Sequence, residues 1–349
     1  MLHKASFFAR RCSSCPPAAL LVVLAVFFPL TPQAAQYGGD AEYTLSFDRY
    51  VPETAALRIA RTTAWLNALE KTAEALSAAS LVQWSAEEES GRQALVSAVF
   101  TPTVSSANVG GTSVTYQVSV HVRLITPQRT VEDRLRKMLY EREMLNLRAG
   151  MIKLAREKAE EARRLIELPG TLRRNAVGGL AAYRERIGLL AEQLEALWLL
   201  GDILPQREGG CWSDPQEALP VLQQATSLAP DYAPLQYLQG EIFLQLDRPQ
   251  DALARLDKAL GLNPELAGAL YARGLTYMRL QLPMLAERDL SAALARDDSQ
   301  AAWWRARGAL RMIRNESGPM CEDFAQACVR GDCEGLAAAR ERGFCPAEK

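Results

Sequence analysis

Four cysteines near the end of the chain are the side chains whose type and spacing indicate chemistry most directly: Cys321, Cys328, Cys333 and Cys345. The first two lie on one face of a predicted helix, and residues 331–332 (Gly-Asp) predict a turn before a returning helix. Antiparallel packing would pair Cys328 with Cys333 near the turn and Cys321 with Cys345 at the far end. Four cysteines allow three connectivities, and a four-thiolate zinc site is the rival interpretation. Because the C-x6-C-x4-C-x11-C spacing lacks the short C-x2-C pairs typical of zinc sites, we expect disulfides and no metal.

A further cysteine, Cys211, stands apart from these four, beside Gly209, Gly210 and Trp212. It is either a free thiol or a link to another chain or to the C-terminal cap. A reactive thiol at this position would suit a cysteine-based sensor, the weakest of three classes of function that we consider.

Histidine chemistry is restricted, because the chain has two histidines, His3 and His121, which excludes a multi-histidine metal centre. His121 alternates with Val120 and Val122 in a predicted strand, and the sequence identifies neither a nucleophile nor an orienting acid for it. The motifs G-x-S-x-G, H-E-x-x-H, G-x-x-x-x-G-K-[ST] and G-x-G-x-x-G are absent. We therefore expect a structural histidine, no enzyme activity and no cofactor.

The composition is that of globular domains, with 349 residues, 48% hydrophobic side chains and a formal net charge of -1. At ~100–200 residues per domain, this length predicts two or three domains. The 40 Lys and Arg against 41 Asp and Glu lack the basic excess of a nucleic-acid-binding protein, so we expect no nucleic-acid partner.

The elements that position these side chains begin with a segment typical of a secretory signal, residues 1–35. It has basic residues and no acid over residues 1–17, then an apolar run over residues 18–30, then the small pair Ala34 and Ala35. The apolar run is shorter than the ~20 residues of a membrane-spanning helix. We expect cleavage after Ala35 and a periplasmic or secreted protein with no membrane span, in a compartment where disulfides form. An uncleaved signal anchor is the alternative.

Residues 41–127 predict a small α+β domain with the order βαββ. Residues 43–50, 95–103 and 112–125 are rich in β-branched and aromatic side chains and predict strands. Residues 54–79 predict an amphipathic helix that covers the sheet. A turn signal at residues 109–112 (Val-Gly-Gly-Thr) predicts an antiparallel hairpin of the last two strands, and residues 81–84 suggest an extra strand.

The helix of this domain, ARTTAWLNALEKTAEALSA, is followed by a strand with the pattern G-x-x-V-x-Y-x-V. In these features residues 41–127 resemble the N-terminal domain of flagellar assembly protein T. The resemblance implies an envelope interaction module without chemistry of its own.

Residues 130–193 predict a long helical hairpin. The first helix extends from Val131 to Leu168, Pro169 and Gly170 end it, and a second helical pattern begins at Leu180. The apolar stripe follows a heptad only loosely, so a two-stranded coiled coil is one interpretation and an intramolecular hairpin is the one we favour.

Residues 194–330 contain a repeat of 34 residues, because Gly240, Gly274 and Gly308 recur at that interval. The register resembles the tetratricopeptide repeat (TPR), with the motif W-x2-L-G-x2-Y, then A-x3-F, then P. Besides these glycines, the residues at motif positions are Phe243, Ala252, Leu256, Ala259, Pro264, Tyr277, Ala286, Leu290 and Ala293. The resemblance implies that glycine and alanine let two helices approach closely while large side chains fill the gap between them.

The match has departures: Gln236 and Leu270 stand at the tryptophan position, and Asp298 replaces the proline. A degenerate unit around Gly308 and an upstream unit with Gly201, interrupted within residues 205–214, bring the count to four, two regular and two irregular. Residues 331–349 predict a cysteine-rich capping helix. The expected fold is α+β: a small βαββ domain, a long helical hairpin and a C-terminal α-solenoid of TPR helix pairs.

By the same resemblance, the partner-binding groove is lined by one face of the first helix of each repeat. The residues on that face are Tyr237, Glu241, Leu244, Gln245, Tyr271, Leu275, Met278, Arg279 and Arg305, with Met312 extending the row. Tyr, Leu and Met suit an apolar peptide or a partner helix, whereas the Lys and Asn that capture a C-terminal carboxylate in one TPR subclass are missing. Packing of some of these residues against neighbouring elements is the alternative.

Taken together, these features predict an exported TPR scaffold or adaptor that binds a protein segment in its groove without catalysis. The alternative is a structural or assembly component of a cell-envelope machine, acting through the N-terminal domain and self-association as a homo-oligomer.

Overall fold

The structure, a computed structural model, describes residues 39–78, 89–112, 115–125, 142–169, 178–208 and 211–346. The predicted signal segment and the extra strand suggested at residues 81–84 lie outside these ranges. The chain divides into two compact units. The first contains the described residues up to Ala272, and the second those from Arg273 onward.

The first unit begins with a three-stranded antiparallel sheet of β1 (Asp40–Asp48), β2 (Thr101–Gly111) and β3 (Thr115–Ile125), in the order β1-β3-β2. Alternate side chains of β3 are fully buried, among them Val118, Val120 and Val122. They face helix α1 (Glu53–Ala78), whose many alanines allow the helix to lie close to the sheet. The predicted small antiparallel sheet with a covering helix is confirmed.

One predicted strand is wrong, because most of residues 95–103 belong to a second helix, α2 (Glu89–Val99), and the strand begins only at Thr101. The β-branched valines in the short apolar run Leu95–Val99 are the reason for the wrong prediction of a strand. In the structure this helix packs on helix α3 (Arg142–Glu167), and its residues Ala94, Leu95, Val96 and Ala98 are all buried. Burial of a nearly continuous apolar surface by tertiary contacts outweighs the weak β-propensity of a short segment.

Helices α3 and α4 (Leu180–Ile203) contact each other, and α4 also packs on α1. Arg186 of α4 forms an ion pair with Glu161 of α3. The guanidinium of Arg148, on α3, is buried and donates to the carbonyl oxygen of Ser97 on α2 at 2.8 Å. These contacts within one chain support the intramolecular hairpin over a free coiled coil. The start of the first helix, before Arg142, lies outside the described residues.

A small hairpin of β4 (Arg207–Glu208) and β5 (Cys211–Trp212) follows α4 after the turn at Leu204–Gln206. It occupies the segment 205–214, where the sequence indicated an interrupted repeat. Asp214 then caps helix α5 (Pro215–Leu228) by accepting from the backbone N–H groups of Gln216 and Glu217.

Paired helices continue to residue 341. They are α6 (Ala233–Gln245), α7 (Pro249–Leu262), α8 (Ala267–Arg279), α9 (Pro283–Arg296), α10 (Ala301–Ile313), α11 (Ser317–Val329) and the short α12 (Glu334–Glu341). Arg273, where the second unit begins, lies within α8. The predicted array of helix pairs is thus present.

The glycines of the 34-residue period sit where two helices of a pair meet. A Cβ at Gly240 would lie 2.6 Å from Cγ of Leu256, and one at Gly274 would lie 2.8 Å from Cγ of Leu290. At Gly308 the close neighbour is Phe324. Gly201 differs, because its close neighbour is Trp65 of α1. The upstream repeat unit, which contains Gly201, therefore packs on helix α1 of the small α+β domain. In the other three units the glycine contacts the second helix of its own pair.

The same period appears in the backbone, because Asp247, Gln281 and Asn315, the turn residues within three successive pairs, have φ of 57°, 61° and 61°. Glutamine is poorly suited to this left-handed conformation, which costs an L residue about 1–2 kcal/mol. We expect Gln281→Gly to raise the free energy of unfolding by about 0.5–1 kcal/mol, since the greater freedom of unfolded glycine offsets part of the gain. Lys258→Gly, at an exposed helical position of α7, is the control and should lower it by about 1 kcal/mol. Denaturant titration measures both, and destabilisation by Gln281→Gly would show that the side chain has a role of its own.

Within the described residues, no helix combines the length and the apolar character needed to cross a bilayer.

Candidate functional site

The face of α6 that was predicted to line a groove is covered by the chain's own β4–β5 hairpin. Arg207 of β4 forms a bidentate ion pair with Glu241, with its Nε 2.8 Å from Oε2 and its Nη2 2.7 Å from Oε1. The hydroxyl of Tyr237 donates to the same carboxylate at 2.7 Å. Tyr237 is 1% exposed, and the side chains of Arg207 and Glu241 are 5% and 10% exposed. These two predicted groove residues are thus buried around an arginine of the same chain.

Gln245, one turn further along α6, holds the backbone of the same hairpin. Its Oε1 accepts from the N–H of Trp212 at 2.9 Å, and its Nε2 donates to the carbonyl oxygen of Trp212 at 2.8 Å. Leu244 beside it is half-buried. The first regular repeat therefore already holds an arginine side chain and an extended backbone, as a peptide-binding surface would.

The corresponding positions on α8 and α10 carry different side chains. On α8, Tyr271, Leu275 and Met278 are half-buried and Arg279 is exposed. On α10, the equivalents of Met278 and Arg279 are Met312, 36% exposed, and Ile313, 64% exposed. Arg305 forms ion pairs with the capping segment, at 3.0 Å to Asp332 and 3.6 Å to Glu334. In the second unit, the apolar side chains at these positions that are half-buried or exposed are Leu275, Met278, Met312 and Ile313. We call these four residues the apolar row.

Two buried ion pairs that the sequence analysis missed tie the helices of the last two pairs together. Arg273 Nε of α8 lies 2.6 Å from Asp289 Oδ2 of α9. One repeat later, Arg307 Nη2 of α10 lies 2.8 Å from Asp323 Oδ1 of α11. Both aspartate side chains are 2% exposed. The signal was present in the sequence, because both the arginines and the aspartates are 34 residues apart.

His121 has the two neighbours that its sequence context did not reveal. Asp40 Oδ2 of β1 lies 2.9 Å from Nε2, and Ser105 Oγ of β2 lies 2.8 Å from Nδ1. The serine hydroxyl can also donate a hydrogen bond to the carbonyl oxygen of His121, at 3.1 Å. The three side chains link all three strands on the exposed face of the sheet. These hydrogen bonds connect the side chains of neighbouring strands and indicate a structural role. Among the described residues, no group of three or more potential ligands could hold a metal ion.

The C-terminal cysteines form the two disulfides Cys321–Cys345 and Cys328–Cys333. Cys345 is buried in a small core with Met320, Phe324, Leu336 and Ala339, which joins α12 to α11. The pairing inferred from antiparallel helices is therefore present, while Cys211 lies outside both bonds in the β4–β5 hairpin.

The two disulfides close loops of different length, 24 and 5 residues apart in sequence. Loop closure in the unfolded chain predicts that Cys321→Ser with Cys345→Ser lowers the free energy of unfolding by about 3 kcal/mol. The pair Cys328→Ser with Cys333→Ser should cost about 2 kcal/mol. Chemical denaturation of the two double variants tests the order, and a larger loss for the shorter loop would contradict it.

Among family models, one matches part of the repeat array. Residues 213–274 match the family model of the tetratricopeptide repeat. No curated protein sequence matches the chain.

Several solved structures are similar over part of the chain. YrrB, described as a TPR protein with an unusual peptide-binding site, is 19% identical, with a TM-score of 0.36 over 55% of this chain and 97% of its own. MamA from Desulfovibrio magneticus RS-1 is 18% identical, with a TM-score of 0.35 over 52% of this chain and 96% of its own. The first TPR of Spaghetti (RPAP3), bound to an HSP90 peptide, is 19% identical, with a TM-score of 0.30 over 32% of this chain and 92% of its own.

The helix pairs, their 34-residue register and the glycine contacts define a repeat protein of stacked helices. The family match identifies residues 213–274 as tetratricopeptide repeats. Such domains typically serve as scaffolds that bind proteins or peptides and carry no catalytic centre.

Proposed function

We propose that this protein is an exported TPR adaptor whose apolar row binds a segment of a partner protein, without catalysis. The observation that carries the proposal is the exposure of Met312 and Ile313 at groove positions of α10. Large apolar side chains exposed side by side at ligand-facing positions are typical of protein interaction surfaces.

The chemistry of the apolar row indicates the kind of segment it would take. Leu275, Met278 and Met312 offer aliphatic and thioether surface, and methionine adapts its shape to different partners. We therefore infer that the apolar row binds an amphipathic helix or an apolar peptide.

Support for export comes from the two disulfides, which persist in oxidising compartments, together with the signal-like residues 1–35. We propose a periplasmic or secreted location on these grounds. The domain limits at residues 41–127, 130–193, 194–330 and 331–349 belong to the same proposal.

The groove proposal is tested by affinity capture with the full chain and with the double variant Met278→Glu and Met312→Glu. Carboxylates in the apolar row should abolish capture of the partner, because an apolar segment cannot solvate them. Met284→Glu is the matched control, since Met284 is 68% exposed on α9 and lies outside the row. Equal capture by all three folded proteins would show that the apolar row is not the binding surface.

A second candidate is an assembly component that acts through the N-terminal module. It is favoured by the edge strand β2 of the three-stranded sheet, whose ladder hydrogen bonds among the described residues go to β3 alone.

A further inference from the structure

Among the described residues, strand β2 forms one edge of the sheet, and its register on β3 is regular except for a bulge between Val104 and Ser106. Among the described residues its ladder hydrogen bonds go to β3 alone. From Thr101 to Gly111 it contains no charged side chain, and its one proline, Pro102, lies at the start. Edge strands are normally blunted by charges, prolines, bulges or a covering element. Here the bulge and the proline affect the first part of β2, whereas residues 106–111 keep a continuous register on β3 and present a regular edge. Val104 and Val109 are each 41% exposed, so helix α1 leaves this strand partly uncovered.

A cavity of about 430 Å³ opens between β2 and α1. Its walls include Thr54, Leu57, Arg58, Arg61, Val104, Ala107 and Glu195. Val104 and Ala107 pair with the buried Val122 and Val120, which places them on the helix-facing side of the sheet. The cavity therefore borders the open edge on its apolar side.

The charged residues in the cavity are two arginines and one glutamate. Arg61 pairs with Glu195 and lies over the ring of Trp198, with Cζ 4.6 Å from the centroid. Arg58 Nε lies 3.7 Å from the same carboxylate, and its side chain is 35% exposed. The buried Nε of Arg61 has no hydrogen-bond partner. Asp202 is a second acid whose charge interacts with Arg61. Arg58, with the longer ion pair and the more exposed side chain, is therefore the arginine that favours an additional anionic group.

We propose that β2 and this cavity form a docking site for an extended segment of a partner protein. The segment adds to β2 as a fourth strand, with an acidic side chain directed towards Arg58 and apolar side chains on Val104 and Ala107. Backbone pairing supplies affinity in this mode, and alternate side chains supply specificity.

Charge argues against a second copy of the same strand as the occupant. In a symmetric pairing of β2 with β2, the arginine-rich cavities of both copies would approach each other without an added acid. Like charges in such an arrangement are costly, whereas an acidic partner segment is favoured.

The test uses the full chain and synthetic extended peptides of about eight alternating valine and threonine residues. One peptide has a central glutamate, the second has lysine there, and the third has the glutamate but N-methyl groups on alternate amides, which block strand pairing. Fluorescence anisotropy measures affinity, and hydrogen–deuterium exchange locates the site. We expect the glutamate peptide to bind about tenfold more tightly than either of the others and to protect residues 101–111 from exchange.

Charge exchange makes the test specific. Arg58→Glu should reverse the preference, so that the lysine peptide binds more tightly than the glutamate peptide, while Arg164→Glu on the exposed side of α3 should leave it unchanged. Absence of binding up to about 1 mM would overturn the proposal, as would protection confined to the apolar row. If the chain forms dimers that dissociate on Val104→Lys, the occupant of the β2 edge is a second copy of the chain, and the proposal of a partner segment is wrong.

Discussion

Replacing Arg207 by alanine is expected to lower the free energy of unfolding by about 3–5 kcal/mol. The variant leaves the carboxylate of Glu241 buried without its guanidinium and leaves the hydroxyl of Tyr237 as its remaining partner there. Removing one member of a buried ion pair is far more costly than the pair is stabilising, because the other charge remains desolvated. Denaturant unfolding of the full chain measures the loss.

A matched triple variant separates this cause from simple loss of packing. Arg207→Met, Glu241→Leu and Tyr237→Phe together remove every charge and the hydroxyl while they keep side-chain volume. This variant should recover most of the stability that Arg207→Ala loses. A loss below about 1 kcal/mol for Arg207→Ala would mean that the hairpin is held only loosely on α6.

Replacing Asp323 by alanine should produce the second large effect, a loss of about 3 kcal/mol in the free energy of unfolding. This carboxylate accepts from two arginines, Arg307 at 2.8 Å and Arg311 at 3.0 Å, and is itself 2% exposed. Its removal leaves both guanidinium groups without their shared acid between α10 and α11. Thermal and denaturant unfolding provide the measurement.

The neighbouring residue on the same helix provides the control. Glu322 is exposed, so Glu322→Ala should change stability by no more than about 0.5 kcal/mol. Asp289→Ala should cost less than Asp323→Ala, because Asp289 has one well-buried arginine partner, Arg273, while Arg288 is 63% exposed. Equal, small effects for Asp323 and Glu322 would show that the buried pair adds nothing to the last repeat.

The repeat array could be predicted from the sequence because each of its units is built from local contacts. Gly240 and Leu256 lie on adjacent helices of one pair, and the same separation recurs at Gly274 and Leu290. The disulfides were predictable for a similar reason, since two short helices and a turn fix which cysteines meet. Periodicity and helix geometry are sufficient for contacts of this kind.

The covering of α6 was beyond prediction, because it depends on a short hairpin with no periodic pattern. The sequence assigned residues 205–214 to an insertion, and nothing in it showed that Arg207 would reach Glu241. Helix α2 was misassigned for a related reason. Its packing on α3 joins segments far apart in the sequence, and local propensity carries no information about such contacts.

These observations lead to one functional conclusion about the repeats. On α6, the side chains that were predicted to line a groove contact the β4–β5 hairpin, so the surface proposed for a partner is the apolar row of the second unit. In this proposal the first regular repeat does not bind the partner through α6, because the ion pair of Arg207 with Glu241 holds the hairpin on that helix.

Site-specific photo-crosslinking tests this central claim most directly. A photoreactive side chain is placed in the full chain at Met312, at Gln245 or at Met284, and crosslinked products are identified by mass spectrometry after exposure to envelope extract. The account predicts that Met312 yields one specific partner, that Gln245 yields only internal links to the β4–β5 hairpin, and that Met284 yields neither. Capture of the same partner from Gln245, with none from Met312, would contradict it and place the binding surface on the first repeat.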